Sequence, residues 1–105
     1  MAVLEIIKRN FENEVVYSDR PGLLLYKSGS RDDWQEIYSV IEKIANENIG
    51  IKVCVVDLEI DPGLGARFKV TEADTPTLLI LKNGKERGRS QKLIREEEIF
   101  EILKT

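Results

Sequence analysis

The sequence has no histidine and a single cysteine, Cys54. These shortages remove whole classes of chemistry. No disulfide can close within the chain. A zinc site of cysteine and histidine ligands needs three or four of them and is excluded. A histidine that activates a serine or cysteine nucleophile is excluded as well. No long hydrophobic run is present either. Nothing approaches the roughly 18 consecutive apolar residues of a membrane-spanning helix, so no membrane partner is expected. Met1 to Asn10 lacks the basic start, apolar middle and small-residue cleavage site of an export signal, and a cytoplasmic location is expected. Charge of one sign is missing too. The 16 basic and 19 acidic residues are interspersed and sum to a formal charge of -3. Without a basic stripe, nucleic acid is not the expected partner. No motif for a cofactor or a metal appears, and none is expected.

What is present suits a folded α/β protein. Hydrophobic residues make up 42% and charged residues 33% of the 105 positions. That is enough apolar material for a core, and the length fits one domain over residues 1–105. No internal repeat, low-complexity tract or linker divides it.

Ala2–Ile7 reads as a short strand. Phe11–Ser18 reads as a helix with Phe11 and Val15 on one face and Asn10 as its cap. Leu23-Leu24-Leu25-Tyr26 follows the turn at Asp19-Arg20-Pro21-Gly22, and an unbroken apolar run is what a strand covered on both faces looks like. Ser30 is placed as a helix cap with Asp33 as its capping-box acid, so a helix is predicted from Arg31 to about Asn48. Its apolar positions Trp34, Ile37, Tyr38, Ile41, Ile44 and Ala45 recur every three or four residues. Ile51–Leu58 is a second buried strand. Asp61-Pro62 opens a short helix to Phe68, and Thr71–Thr75 reads as a polar loop. Thr77–Lys82 is a strand, Asn83-Gly84 a type I′ hairpin signal, and Lys85–Ser90 a polar edge strand. Arg95–Lys104 closes the chain as an amphipathic helix. The order is β-α-β-α-β-α-β-β-α: a mixed central sheet with helices on both faces.

Three features invite a chemical reading. Cys54 lies among Val53, Val55 and Val56, where apolar surroundings raise a thiol pKa and make it inert. Arg31-Asp32-Asp33 stands at a helix start, where capping and the helix dipole account for the acids; two carboxylates there repel an added anion and are too few for a cation. Trp34 fits either a partner-binding anchor or the inward stripe.

Thr75-Pro76-Thr77-Leu78-Leu79-Ile80-Leu81-Lys82-Asn83-Gly84 resembles the P-T-(apolar)-K-N-G segment of thioredoxins. Phe11–Val15 with Ser18–Pro21 is similar to that family's first helix and the turn into its central strand, and Ile41–Ala45 resembles its second helix. The likeness covers nearly the whole chain in order and implies a thioredoxin-like three-layer fold. It also implies a cis bond at Thr75-Pro76, beside the family's dithiol, where substrate peptide pairs with the backbone. The dithiol itself is missing. Its W-C-G-P-C stretch aligns with Ser30-Arg31-Asp32-Asp33-Trp34, so Arg31 and Trp34 stand where the two cysteines would be. Leu25 takes the place of the family's buried aspartate, and Asp57 that of the lysine facing it.

The reading that follows is a non-catalytic thioredoxin-like protein that binds another protein or an extended peptide. Its contact face would comprise Arg31, Asp32, Asp33, Trp34, Thr75 and Pro76. An alternative is a thiol–disulfide oxidoreductase acting through Cys54 alone by a mixed disulfide. A third reading is a homodimer that buries Trp34 against its mate.

Overall fold

The computed structural model describes residues 3–29, 33–47 and 50–104. Its five strands are β1 (Val3–Glu5), β2 (Gly22–Lys27), β3 (Lys52–Asp57), β4 (Thr77–Lys82) and β5 (Lys85–Ser90), with helices α1 (Gln35–Glu47) and α2 (Glu96–Leu103). They form one sheet in the order β1-β3-β2-β4-β5. β1 and β2 run parallel to β3, while β4 runs antiparallel to both β2 and β5.

The apolar run of the central strand explains this arrangement. Leu24, Leu25 and Tyr26 have no exposed surface. Side chains alternate across a sheet, so each inner strand supplies both faces. Leu23, Leu25, Val53, Val55, Leu78 and Ile80 pack with Ile37, Ile41 and Ile44 of α1 and Ile99 of α2. Leu24, Tyr26, Cys54, Val56, Leu79 and Leu81 pack on the other face with Phe11, Val15 and Phe68. Each aliphatic side chain buried this way stabilises the fold by roughly 1.5–3 kcal/mol before entropy is counted.

Both long helices thus share one face, and shorter segments cover the other. Phe11–Ser18, read as an α-helix, is a π-helical turn over Glu12–Val16, in which the Tyr17 N–H donates to the Glu12 carbonyl at 2.9 Å. The wider turn still lets Phe11 and Val15 face the sheet. Asn10 does not cap it. Its Oδ1 accepts from the Ile7 N–H at 2.8 Å and its Nδ2 donates to the Glu5 carbonyl at 3.2 Å, closing the turn before it. Pro62–Phe68 is a 3-10 helix, and the Asp61 side chain makes no capping bond to it. The Tyr26 hydroxyl donates to the Leu64 carbonyl in that segment at 2.7 Å. The stretch read as a polar loop holds a 3-10 turn at Glu72–Asp74, closed by a capping box between Thr71 and Asp74.

α1 also starts later than predicted. Ser30, Arg31 and Asp32 lie outside the described residues, and Asp33 and Trp34 form the turn before the helix. The first helical bond runs from the Tyr38 N–H to the Trp34 carbonyl at 2.9 Å. At the helix entrance the indole packs against Tyr38, one turn on in α1, and against Lys27 of β2.

The Asn83-Gly84 turn matches its sequence signal: both residues have positive φ, 54° and 75°. Gly84 also lies against the π-helical turn, where an added Cβ would sit 2.1 Å from the Val16 carbonyl oxygen. Gly84→Ala therefore combines left-handed strain with a backbone clash. It is expected to lower unfolding free energy by at least about 2 kcal/mol in a urea titration. A loss under about 0.5 kcal/mol would mean that the hairpin tip lifts freely off Val16.

Candidate functional site

The carboxyl ends of parallel strands are where α/β sheets collect their sites. The unbroken apolar run stops here at Lys27, the last residue of β2, whose cross-strand partner on β3 is Asp57. Lys27 Nζ lies 3.2 Å from Asp57 Oδ2, with the two side chains 18% and 17% exposed. The other carboxylate oxygen accepts from the Gly29 and Glu59 N–H groups, both at 3.0 Å. Asp57 thus ties the ends of two strands to the two loops that leave them.

Leu25 faces Val55, so the position of the family's buried aspartate is apolar on both strands. The charged pair sits one pleat further on, with the lysine on β2 and the carboxylate on β3. Relative to the arrangement the resemblance implies, the polarity is exchanged between the strands.

Lys27 Nζ also lies 4.5 Å from the centre of the Trp34 ring, a cation–π distance. Trp34 meets Tyr38 edge to face, with centroids 5.7 Å apart and planes at 86°. Both rings are half-buried. The Trp34 Nε1–H is buried and bonds to no described residue. Trp34, Tyr38, Lys27, Val3, Glu5 and Val55 line a trough of about 480 Å³ on the α1 face of the sheet. Lys27 and Asp57 carry no recognised motif. The one available signal was position, since Lys27 is the first charge after an unbroken apolar strand.

The remaining expected site residues are distributed as follows. Arg31 and Asp32 lie outside the described residues, and Asp33 is exposed. Thr75 and Pro76 are buried at the same end of the sheet, and the bond between them is cis. The Thr75 N–H donates to the Glu72 carbonyl at 3.2 Å, and its Oγ1 donates to the same oxygen at 2.7 Å. That N–H is therefore engaged within the chain. Thr77 pairs with Tyr26 on the β4 side of β2, whereas Trp34 leans over β3 and β1. The structure brings Trp34 together with Lys27, and Thr75 and Pro76 do not line the trough they share.

Cys54 is in mid-strand, with Leu4 on one side and Leu24 on the other. It faces away from the Trp34 trough into the second core cluster. Burial pushes its thiol pKa up to about 12, against weaker opposing effects of Lys52 and Arg20. With Lys52 and Glu14, an ion pair at 2.7 Å, Cys54 lines a hollow of about 10 Å³. Among the described residues, no group of three or more side chains is placed to hold a metal ion, and no helix is long and apolar enough to cross a membrane.

The thioredoxin family model matches residues 2–105 of the chain. No curated protein matches it.

Two outcomes follow from this geometry. Asp57→Ala removes the counter-charge of a mostly buried lysine and the acceptor of two N–H groups. It should cost roughly 3 kcal/mol in chemical denaturation, while Asp57→Asn, which keeps the acceptor, should cost about half as much. Equal losses would assign no value to the loop clamp. The thiol has its own pH signature. Between its ordinary pKa of 9.0 and about 12, the unfolded chain gives up the Cys54 proton and the folded chain keeps it. Stability should therefore fall as pH rises through that window, by up to about 1.4 kcal/mol per pH unit from this group. Cys54→Ala should flatten the slope in unfolding titrations at pH 8 to 11, and an unchanged slope would contradict the burial of the thiol.

Proposed function

This chain belongs to the thioredoxin family, and we propose that it keeps the family's fold while serving as a protein-binding module in place of a thiol–disulfide oxidoreductase. The observation that carries this reading is the seat of the sole thiol. Cys54 is buried in mid-sheet and faces the opposite core from the end of β2, where the family's chemistry would stand. Disulfide exchange needs an accessible thiolate. A thiol with a pKa near 12 supplies a negligible thiolate fraction at neutral pH.

The binding half of the reading is supported by what occupies that end of the sheet. A half-buried Trp34–Tyr38 pair beside a trough is the kind of aromatic anchor that interfaces favour. Trp34 lines this trough, with Arg31, Asp32 and Asp33 next to it in sequence. Thr75 and Pro76 border the face from the β4 side. Because the Thr75 N–H is engaged by Glu72, the Trp34 side supplies the larger share of contact. The proposed location is the cytoplasm.

The test has two arms. The protein and its Cys54→Ala variant are compared in an insulin disulfide-reduction assay, and neither should exceed the reductant-only rate. Turnover that depends on Cys54 would refute the reading. Partner capture is then compared between the protein and a folded Trp34→Ala variant, with retention expected only for the former. A partner held equally by both would move the binding face elsewhere.

A further inference from the structure

The trough beside α1 opens along the edge of the sheet. It continues into a second hollow of about 130 Å³, which shares Glu5, Lys27 and Val55 and is bounded by Ile7, Ile60 and Asp61. Ile7 is 42% and Ile60 73% exposed.

The strand that forms this edge has open backbone groups. The Ile6 N–H donates to the Val55 carbonyl at 2.9 Å, which fixes the groups of Leu4 and Ile6 toward β3. Alternate residues of a strand point the other way, so the backbone groups of Val3 and Glu5 point outward. The Glu5 carbonyl takes the Asn10 amide at 3.2 Å. The Glu5 N–H and both Val3 groups bond to no described residue. The opposite edge differs. β5 carries Lys85, Arg87 and Arg89, the charged type of edge that discourages strand addition.

Charge completes the description. Four charged side chains line the two hollows. Lys27 and Asp57 neutralise each other, which leaves Glu5 and Asp61 and a net negative rim. The side chains of Val3 and Glu5 lie on the α1 face, so a strand laid beside β1 would set alternate side chains against the trough and against Glu5.

We propose that this edge takes an extended segment of a partner protein as a sixth strand. The segment's backbone pairs with Val3 and Glu5. One of its apolar side chains enters the trough against Trp34 and Tyr38, and a lysine or arginine two residues away meets Glu5 and Asp61. This rests on the reading of the chain as a binding module, and it adds the strand used, the conformation of the partner and the sign of its charge.

The probe is a capped eight-residue peptide that alternates threonine with leucine and lysine in turn. A control peptide carries glutamate for each lysine. Binding is read from the fluorescence of Trp34, the chain's one tryptophan, and from amide chemical shifts. The lysine peptide should bind about tenfold more tightly than the glutamate peptide, with shifts centred on residues 3–6, and Glu5→Lys should reverse the preference. Shifts confined to residues 75–77 would overturn the proposal and leave the broader binding reading standing. No binding of either peptide at millimolar concentration would also overturn it, with partner capture by Trp34→Ala deciding the broader reading separately. Shifts at residues 3–6 that grow with protein concentration and no peptide would overturn it in favour of a second copy of the chain.

Discussion

Exclusion of water from both faces of β2 is the constraint on which the rest of the structure depends. A strand of Leu23, Leu24, Leu25 and Tyr26 cannot be left half open. Each face needs its own cover, and each flanking strand must be apolar on both sides to continue the two cores. α1 and α2 answer the first need on one face; the π-helical turn and the Pro62–Phe68 segment answer it on the other. The polar bonds that cross between layers follow the same logic. Tyr26, fully buried, sends its hydroxyl to the Leu64 carbonyl, and Arg89 donates to the Phe68 carbonyl at 2.7 Å. Both hold the Pro62–Phe68 segment onto the face that the long helices leave bare.

Where that burial ends, the site begins. Lys27 is a charge set at the mouth of a core, and its neighbours compensate it from two directions: a carboxylate at its end and an aromatic face beside it. Asp57 in turn spends its second oxygen on backbone groups of the adjoining loops. The end of the sheet that serves redox chemistry in the resembling family is organised here around an ion pair and an indole. Among the described residues at this end, no cysteine is present.

Much of this was legible in the sequence, for identifiable reasons. β2, β3 and β4 announce themselves because strands buried on both faces are apolar without interruption. The Asn83-Gly84 hairpin is written in one of the few residue pairs that enter positive φ cheaply twice. The resemblance to thioredoxins added the connection between these pieces, and the family match agrees with it. What escaped was decided by tertiary contact. The entrance of α1 lies at Gln35, after a turn whose Trp34 meets Lys27 from β2, a contact outside any local capping rule. The turn at Glu12–Val16 widened to a π-helical form that no residue type signals. Asn10 satisfied the turn behind it in place of the helix ahead. The Thr71–Asp74 capping box did have a sequence signature, a threonine followed three residues later by an acid, and was passed over as loop. Of the expected site residues, Trp34 was proposed from its alignment with the family's dithiol stretch, while its helical spacing pointed to the inward stripe. Lys27 was missed because a lone lysine after a strand has no motif, and the open edge of β1 because edges exist only once a sheet is assembled.

The placement of β1 has a kinetic consequence. Its three residues are paired on one side only, to a strand some fifty positions away in sequence, as in Leu4 with Cys54. A short outer strand closed over so long a loop is among the last elements to dock during folding and among the first to fray afterwards. Its departure would strip one flank from Cys54. Peeling of the outermost strand is therefore one route by which an oxidant would reach the thiol, and anything that gives that strand a second neighbour would slow that route.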